Sequence, residues 1–163
     1  MMDRKRELAL LNWCRSVLND NNVQIAPASS DASFRSYHRV ASRDNSFIVM
    51  DAPPDKENIA PWLDIHARLR KANVNAPELV AVERAHGFIL MADLGDHSYL
   101  SQLDEQTADL LYRDALNTLH AMQTRVDGNG LETYHYGKLV AEMELFPEWF
   151  LQRHLGLQPN CAG

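Results

Sequence analysis

Two rhythms of apolar and polar positions run along this chain, and the changes between them mark its parts. In residues 4–19 apolar positions fall at Leu8, Leu11, Val17 and Leu18, with Trp13 and Cys14 beside them. That spacing predicts an amphipathic helix, ended by Asn19-Asp20-Asn21-Asn22. From residue 23 the period shortens toward two. Val23-Gln24-Ile25 begins a short strand, and Ser29-Ser30-Asp31-Ala32-Ser33 is a small polar turn. Residues 34–40 set Phe34, Ser36, His38 and Val40 on one strand face and Arg35, Tyr37 and Arg39 on the other. After a hairpin turn at Arg43-Asp44-Asn45-Ser46, Phe47-Ile48-Val49-Met50 reads as a buried strand.

Pro53-Pro54 then breaks the chain. Pro54-Asp55-Lys56-Glu57 predicts a helix start with acidic residues in its first turn, and Ile59, Trp62, Leu63, Ile65, Ala67 and Leu69 carry the helix to about Lys71. Two further strands, Leu79-Val80-Ala81-Val82-Glu83 and Phe88-Ile89-Leu90-Met91, are joined around Ala85-His86-Gly87. The predicted order of three strands, one helix and two strands describes a five-stranded antiparallel sheet with a helix packed on one face. After Gly95 the pattern is helical throughout. Tyr99-Leu100-Ser101-Gln102-Leu103 is a short turn of helix, residues 107–126 form a longer one stopped by Asp127-Gly128-Asn129-Gly130, and a last helix over 136–154 contains Pro147, which kinks or divides it.

Composition narrows the partners. With 163 residues, 45% hydrophobic and 23% charged, the chain has the make-up of a globular protein large enough for a real core. A formal net charge of −6 argues against a general nucleic-acid binder, which needs a basic face, but leaves room for a local pocket that takes one nucleotide. The two cysteines, Cys14 and Cys161, suggest neither a disulfide framework nor a zinc site, and the charged start Met1-Met2-Asp3-Arg4-Lys5-Arg6 leads into an apolar run too short and broken for a signal peptide or membrane span. The expectation is a reduced, cytoplasmic protein with no nucleic-acid or membrane partner.

Four segments carry a family resemblance: Ser30-Asp31-Ala32-Ser33-Phe34-Arg35-Ser36-Tyr37, Ile48-Val49-Met50-Asp51-Ala52-Pro53-Pro54, Phe88-Ile89-Leu90-Met91-Ala92-Asp93-Leu94-Gly95 and Leu145-Phe146-Pro147-Glu148-Trp149-Phe150-Leu151. In this order and spacing the chain resembles the aminoglycoside-phosphotransferase family of kinases, in particular its branch of anomeric kinases for N-acetylmuramate and N-acetylglucosamine, over residues 24–157. The resemblance implies an α+β fold: a protein-kinase-like N-lobe with a leading helix over residues 1–92, then a hinge and the first helices of an incomplete helical C-lobe over 93–163. It implies ATP and Mg2+ as cofactors and an amino sugar as acceptor.

For the residues, the resemblance implies a nucleotide site made by Ser30, Asp31, Ala32, Ser33, Arg35, Leu90, Met91 and Asp93. The small residues of the turn would let backbone N–H groups cradle the phosphates, although an ordinary hairpin turn also favours Ser and Asp. Ser30 stands where the family has glycine. Arg35 and Arg39, which share one strand face by period two, every two positions spanning about 7 Å, would add positive charge there or else lie in solvent. The third strand holds no lysine to grip phosphate, in keeping with this branch, and Glu57 would pair with Arg35 or Arg39 or simply cap its helix. Residues 90–94 would be the hinge that reads adenine through its backbone, with Leu90 and Met91 lining the purine pocket. Asp93-Leu94-Gly95 mimics a magnesium-binding D-F-G but precedes any catalytic loop, so no metal role is assigned to it, nor is a catalytic one to Gly95-Asp96-His97. His38, His66, His86, His120, His135 and His154 lack metal-ligand spacing, and Tyr134, Glu142 and Trp149 could face a sugar or pack a core.

Phosphoryl transfer requires an aspartate to orient the acceptor hydroxyl and ligands for magnesium. In the family these lie in an H-G-D-x-x-x-x-N loop and a later D-x-D, and the 163 residues contain no such loop. The expectation is a chain truncated before its catalytic residues and inactive by itself. The alternatives are a non-catalytic kinase-lobe remnant that binds a nucleotide or a protein through the exposed sides of its last helices, and an unrelated α+β binding protein.

Overall fold

The computed structural model describes residues 4–30 and 33–157, with the backbone alone of Ser30. The chain forms two compact units that meet between Asp127 and Gly128.

The first unit is built on a five-stranded antiparallel sheet, β1 (Gln24–Ser30), β2 (Ser36–Ser42), β3 (Asn45–Asp51), β4 (Leu79–Glu83) and β5 (Phe88–Ala92), in the spatial order β1-β2-β3-β5-β4. Two helices, one more than the sheet pattern called for, cover its two faces. On one face α1 (Arg4–Leu18) lays Leu10 and Cys14, one helical turn apart, against Val23, Val40, Val49, Phe88 and Leu90. Leu8, which the apolar spacing had placed on that stripe, is exposed. On the other face Met50, Ala52, Ile59, Ile89 and Met91 form a second cluster under Trp62 and Leu63 of α2 (Ala60–Lys71). Because successive side chains of a strand point to opposite faces, β3 sends Val49 to α1 and Met50 to α2, and β5 divides Leu90 and Met91 in the same way. Those central strands therefore lack a polar face.

Two element boundaries differ from the sequence pattern. The first strand is seven residues long and runs into the predicted polar turn as far as Ser30, whose backbone pairs with Ser36. The α2 helix starts at Ala60, not near residue 54. Lys56 and Glu57 both donate their N–H groups to the Pro53 carbonyl, which closes one turn that does not continue. Asn58 Oδ1 then accepts the Ala60 N–H, and Pro61 occupies the first turn of the helix. Acidic residues near a helix start and a single turn of chain look alike in sequence.

The sheet leads through α3 (Tyr99–Gln102) to α4 (Ala108–Arg125), whose Leu110 and Leu116 are exposed. The second unit holds α5 (Tyr136–Met143) and a π-helix (Phe146–His154). The predicted last helix is divided near Pro147: the proline has no N–H to donate to the end of α5, and it lies in the first turn of the π-helix that follows. Within this unit Phe146 stacks on Phe150 at 5.2 Å, and the Arg153 guanidinium lies 4.0 Å from the Trp149 ring centroid.

Candidate functional site

Where β1, β2 and β3 meet the chain leaving β5, the first unit has an open cavity of about 450 Å³. Its walls are Ala28 and Ser29 from β1, Tyr37 and Arg39 from β2, Ile48 from β3, Pro77, and residues 91–96. Strand register explains the assembly. Arg39 pairs across the sheet with Ile48, and Ile48 with Met91, so one row of three side chains on the same face floors the cavity. The rim comes from a bulge. Pro27 pairs with His38 but Ser29 with Tyr37, so Ala28 is an extra residue in β1 and Ser29 is turned to the cavity side opposite Tyr37. The floor is apolar at Ile48 and Met91 and charged at Arg39; the edge is polar backbone and charge.

The charge is organised around Asp93, the first residue after β5. Its Oδ2 accepts from Arg39 Nε at 2.7 Å and from Ser46 Oγ at 2.6 Å. Its Oδ1 accepts from the Gly95 N–H at 2.9 Å and from Arg39 Nη2 at 3.3 Å. The Arg39 guanidinium and then the Ser46 hydroxyl hold this carboxyl down at about 2, and the same hydrogen bond raises Arg39 above its ordinary value. Gly95 takes φ +88°, the left-handed conformation that lets the chain double back to present its N–H.

The residues expected at a nucleotide site are distributed as follows. Met91 and Asp93 line the cavity. Leu90, expected beside Met91 in the purine pocket, is fully buried on the opposite face against α1, because neighbouring residues of a strand cannot share a face. Ser30 lies next to the rim residue Ser29 at the end of β1, and Asp31 and Ala32 lie outside the described residues. Ser33 is exposed, and its Oγ accepts from both the N–H and Nε of Arg35 at 3.1 and 2.9 Å. Arg35 borders a neighbouring cavity of about 520 Å³ with Glu57, Trp62, His66 and Pro77. Glu57 receives the Phe34 N–H at 3.0 Å, tying the segment before β2 to the turn before α2. Arg39 faces Asp93. Tyr37, Ile48, Ala28 and Ser46 were not expected at the site; the alternation that groups Tyr37 with Arg39 was legible, whereas the cross-strand register that adds Ile48 was not.

On the other face, Asp51 ends β3 buried and is held by Arg6 of α1, with Nε–Oδ1 at 2.8 Å. His38, nearby, is kept below its ordinary value chiefly by burial. Among the described residues no cluster of three or more His, Cys, Asp or Glu side chains is arranged to hold a metal, and no helix is long and apolar enough to cross a membrane.

Comparison with known proteins agrees with this architecture. The chain is 43% identical over 137 residues to an N-acetylmuramate/N-acetylglucosamine kinase of Pseudomonas aeruginosa, covering 83% of this chain and 40% of that protein. It is 31% identical over 157 residues to the kinase of the same name from Neisseria meningitidis, covering 93% and 46%. The chain thus spans less than half the length of these curated relatives. In three dimensions it superposes on the streptomycin–ATP–APH(2″)-IIa ternary complex with a TM-score of 0.56 at 12% identity, over 98% of this chain and 55% of that one, so the fold is that of the kinase-like phosphotransferases. The model of the phosphotransferase enzyme family matches residues 24–159. With that match over most of its length, the chain belongs to the phosphotransferase enzyme family.

Proposed function

We propose that the chain supplies the ATP-binding part of a sugar kinase that phosphorylates N-acetylmuramate or N-acetylglucosamine in cell-wall recycling in the bacterial cytoplasm. The observation that carries this reading is the 450 Å³ cavity between the end of β1 and residues 91–96. It has an apolar floor for a purine in Ile48 and Met91 and backbone along its edge, and its size falls in the range of about 300–1,000 Å³ of small-molecule sites. The relatives named for this activity supply the substrate class. On this reading Ser29 and Ser30 would border the triphosphate, and Met91 with residues 92–95 would border the adenine. Ser33 and Arg35, hydrogen-bonded to each other, with Arg35 on the neighbouring cavity, would serve the phosphate end. Residues 93–163 are then the hinge and the beginning of a helical lobe.

Magnesium would be held by the nucleotide and by further ligands, since among the described residues no cluster of three or more His, Cys, Asp or Glu could hold it. The base or orienting aspartate of an H-G-D loop is likewise absent from these 163 residues. The polypeptide on its own is therefore expected to bind nucleotide without appreciable turnover; each tenfold of rate is about 1.4 kcal/mol of transition-state stabilisation, and the missing groups supply several such factors. Calorimetric titration with ATP and with ATP plus magnesium tests the site, and an assay for sugar 1-phosphate tests turnover. Saturable binding with no product is expected. No heat of binding at millimolar ATP would remove the nucleotide reading, and sugar phosphate made by the chain alone would remove the claim of inactivity.

A further inference from the structure

The cavity holds one charged cluster, and its geometry does not suit a phosphate site. Arg39 is the cationic side chain among the cavity-lining residues, yet it is turned onto Asp93, with two guanidinium nitrogens on the two carboxylate oxygens. A phosphate could take the Nε–Nη2 edge of Arg39 only by displacing a carboxylate that is itself 8% exposed. Asp93 in turn has donors on both oxygens and so has no open edge to offer a metal.

The same three donors come from β2, β3 and the residue two places beyond Asp93. Ala92 is the last residue tied into the sheet, paired with Phe47 and donating its N–H to Glu78 O at 2.8 Å. Past it, the path of the chain is fixed by the Asp93 side chain through Arg39, Ser46 and Gly95. Leu94, between Asp93 and Gly95, is 65% exposed on the cavity edge, so packing does not hold it.

We infer that Asp93 is a positioning residue for the nucleobase: with Arg39 and Ser46 as its anchors it sets the backbone of residues 93–95 against which the base edge docks, and Arg39 acts through Asp93 and not as a ligand of phosphate. This rests on the nucleotide reading of the cavity. It predicts that the cluster matters to the base and not to the phosphates, which separates it from a general structural role.

The test uses the whole chain with Asp93→Ala, Asp93→Asn and Ser46→Ala, titrated with ATP, adenosine and inorganic triphosphate. Asp93→Ala should weaken ATP and adenosine by the same factor, about tenfold or more as for loss of a charge-assisted hydrogen bond, and leave triphosphate unchanged. Asp93→Asn, which keeps an acceptor for Gly95, should recover part of the loss, and Ser46→Ala should give a smaller loss of the same kind. Equal weakening of triphosphate, or unchanged adenosine affinity in a folded Asp93→Ala protein, overturns the inference. Amide hydrogen exchange reads the positioning without ligand: Gly95 exchange should accelerate in Asp93→Ala while Val49 in the core does not. Unchanged Gly95 exchange overturns the positioning itself, whereas wild-type chain that ignores both ATP and adenosine overturns the nucleotide reading on which the base assignment rests.

Discussion

Arg6 reaches from the first turn of α1 to Asp51 at the end of β3, 45 residues away in sequence, and sets its Nε 2.8 Å from a carboxylate that is 2% exposed. The same guanidinium donates to the His86 carbonyl at 2.6 Å and lies 4.9 Å from the centroid of the Phe88 ring. One side chain thus fastens the leading helix to the central strand and to the turn between β4 and β5.

Removing Arg6 leaves that buried carboxylate without its cation. Arg6→Ala should destabilise the first unit by about 2–3 kcal/mol, toward the lower end for a broken buried pair because Arg6 keeps some solvent contact. Urea unfolding followed by Trp13 fluorescence measures it. A loss no larger than that of a solvent-exposed arginine such as Arg153→Ala would show that α1 is held by Leu10 and Cys14 alone.

Gly87 sits at φ +70°, and a Cβ there would come 1.9 Å from the Ala52 carbonyl oxygen. The approach is tight because the Ala52 N–H donates to the Gly87 carbonyl at 3.0 Å, closing the β4–β5 turn onto the end of β3. Gly87→Ala combines a strained backbone with a backbone collision and should cost about 3 kcal/mol or more. Thermal unfolding by circular dichroism should show a lowered midpoint; an unshifted one would mean that the turn can move away from Ala52 freely.

Asp93 contributes an acid-sensitive part of the stability. Its carboxyl titrates at about 2 in the folded chain against an ordinary 3.8, so the folded state favours the ionised form. The contribution is complete above about pH 4 and is lost as the pH falls toward 2. Urea midpoints across that window should fall more steeply for the wild type than for Asp93→Asn. Parallel curves would assign the acid lability to other carboxylates.

Burial among Leu10, Val40, Val49 and Phe88 pushes the Cys14 thiol up to about 12. Almost no thiolate exists at pH 8, and Cys14 should resist iodoacetamide until the chain unfolds. Peptide mapping distinguishes it from Cys161. Alkylation of Cys14 at native conditions, at a rate independent of urea, would contradict the packing of α1 on the sheet.

Much of the architecture could be read from local pattern. Alternation in residues 34–40 and short apolar runs at 47–50, 79–83 and 88–91 determined the strands, turn chemistry around residue 44 and Gly87 determined where they reverse, and Pro147 determined a break that the structure realises as α5 followed by a π-helix. These are short-range effects: the side-chain period and the missing N–H of proline act within a few residues. The functional placement was not local. Leu90 and Met91 are adjacent in sequence and equally apolar, yet only register against Val49 and Ile48 decides that one packs on α1 and the other floors the cavity. Arg39 and Asp93 are 54 residues apart and Arg6 and Asp51 are 45 apart; nothing in either neighbourhood names the partner. Composition and periodicity determined which elements form, because those depend on each residue's own backbone and solvent preference. Only tertiary structure decided which charges are spent on one another, because a buried carboxylate is satisfied by whichever donor the packing of the sheet brings within about 3 Å.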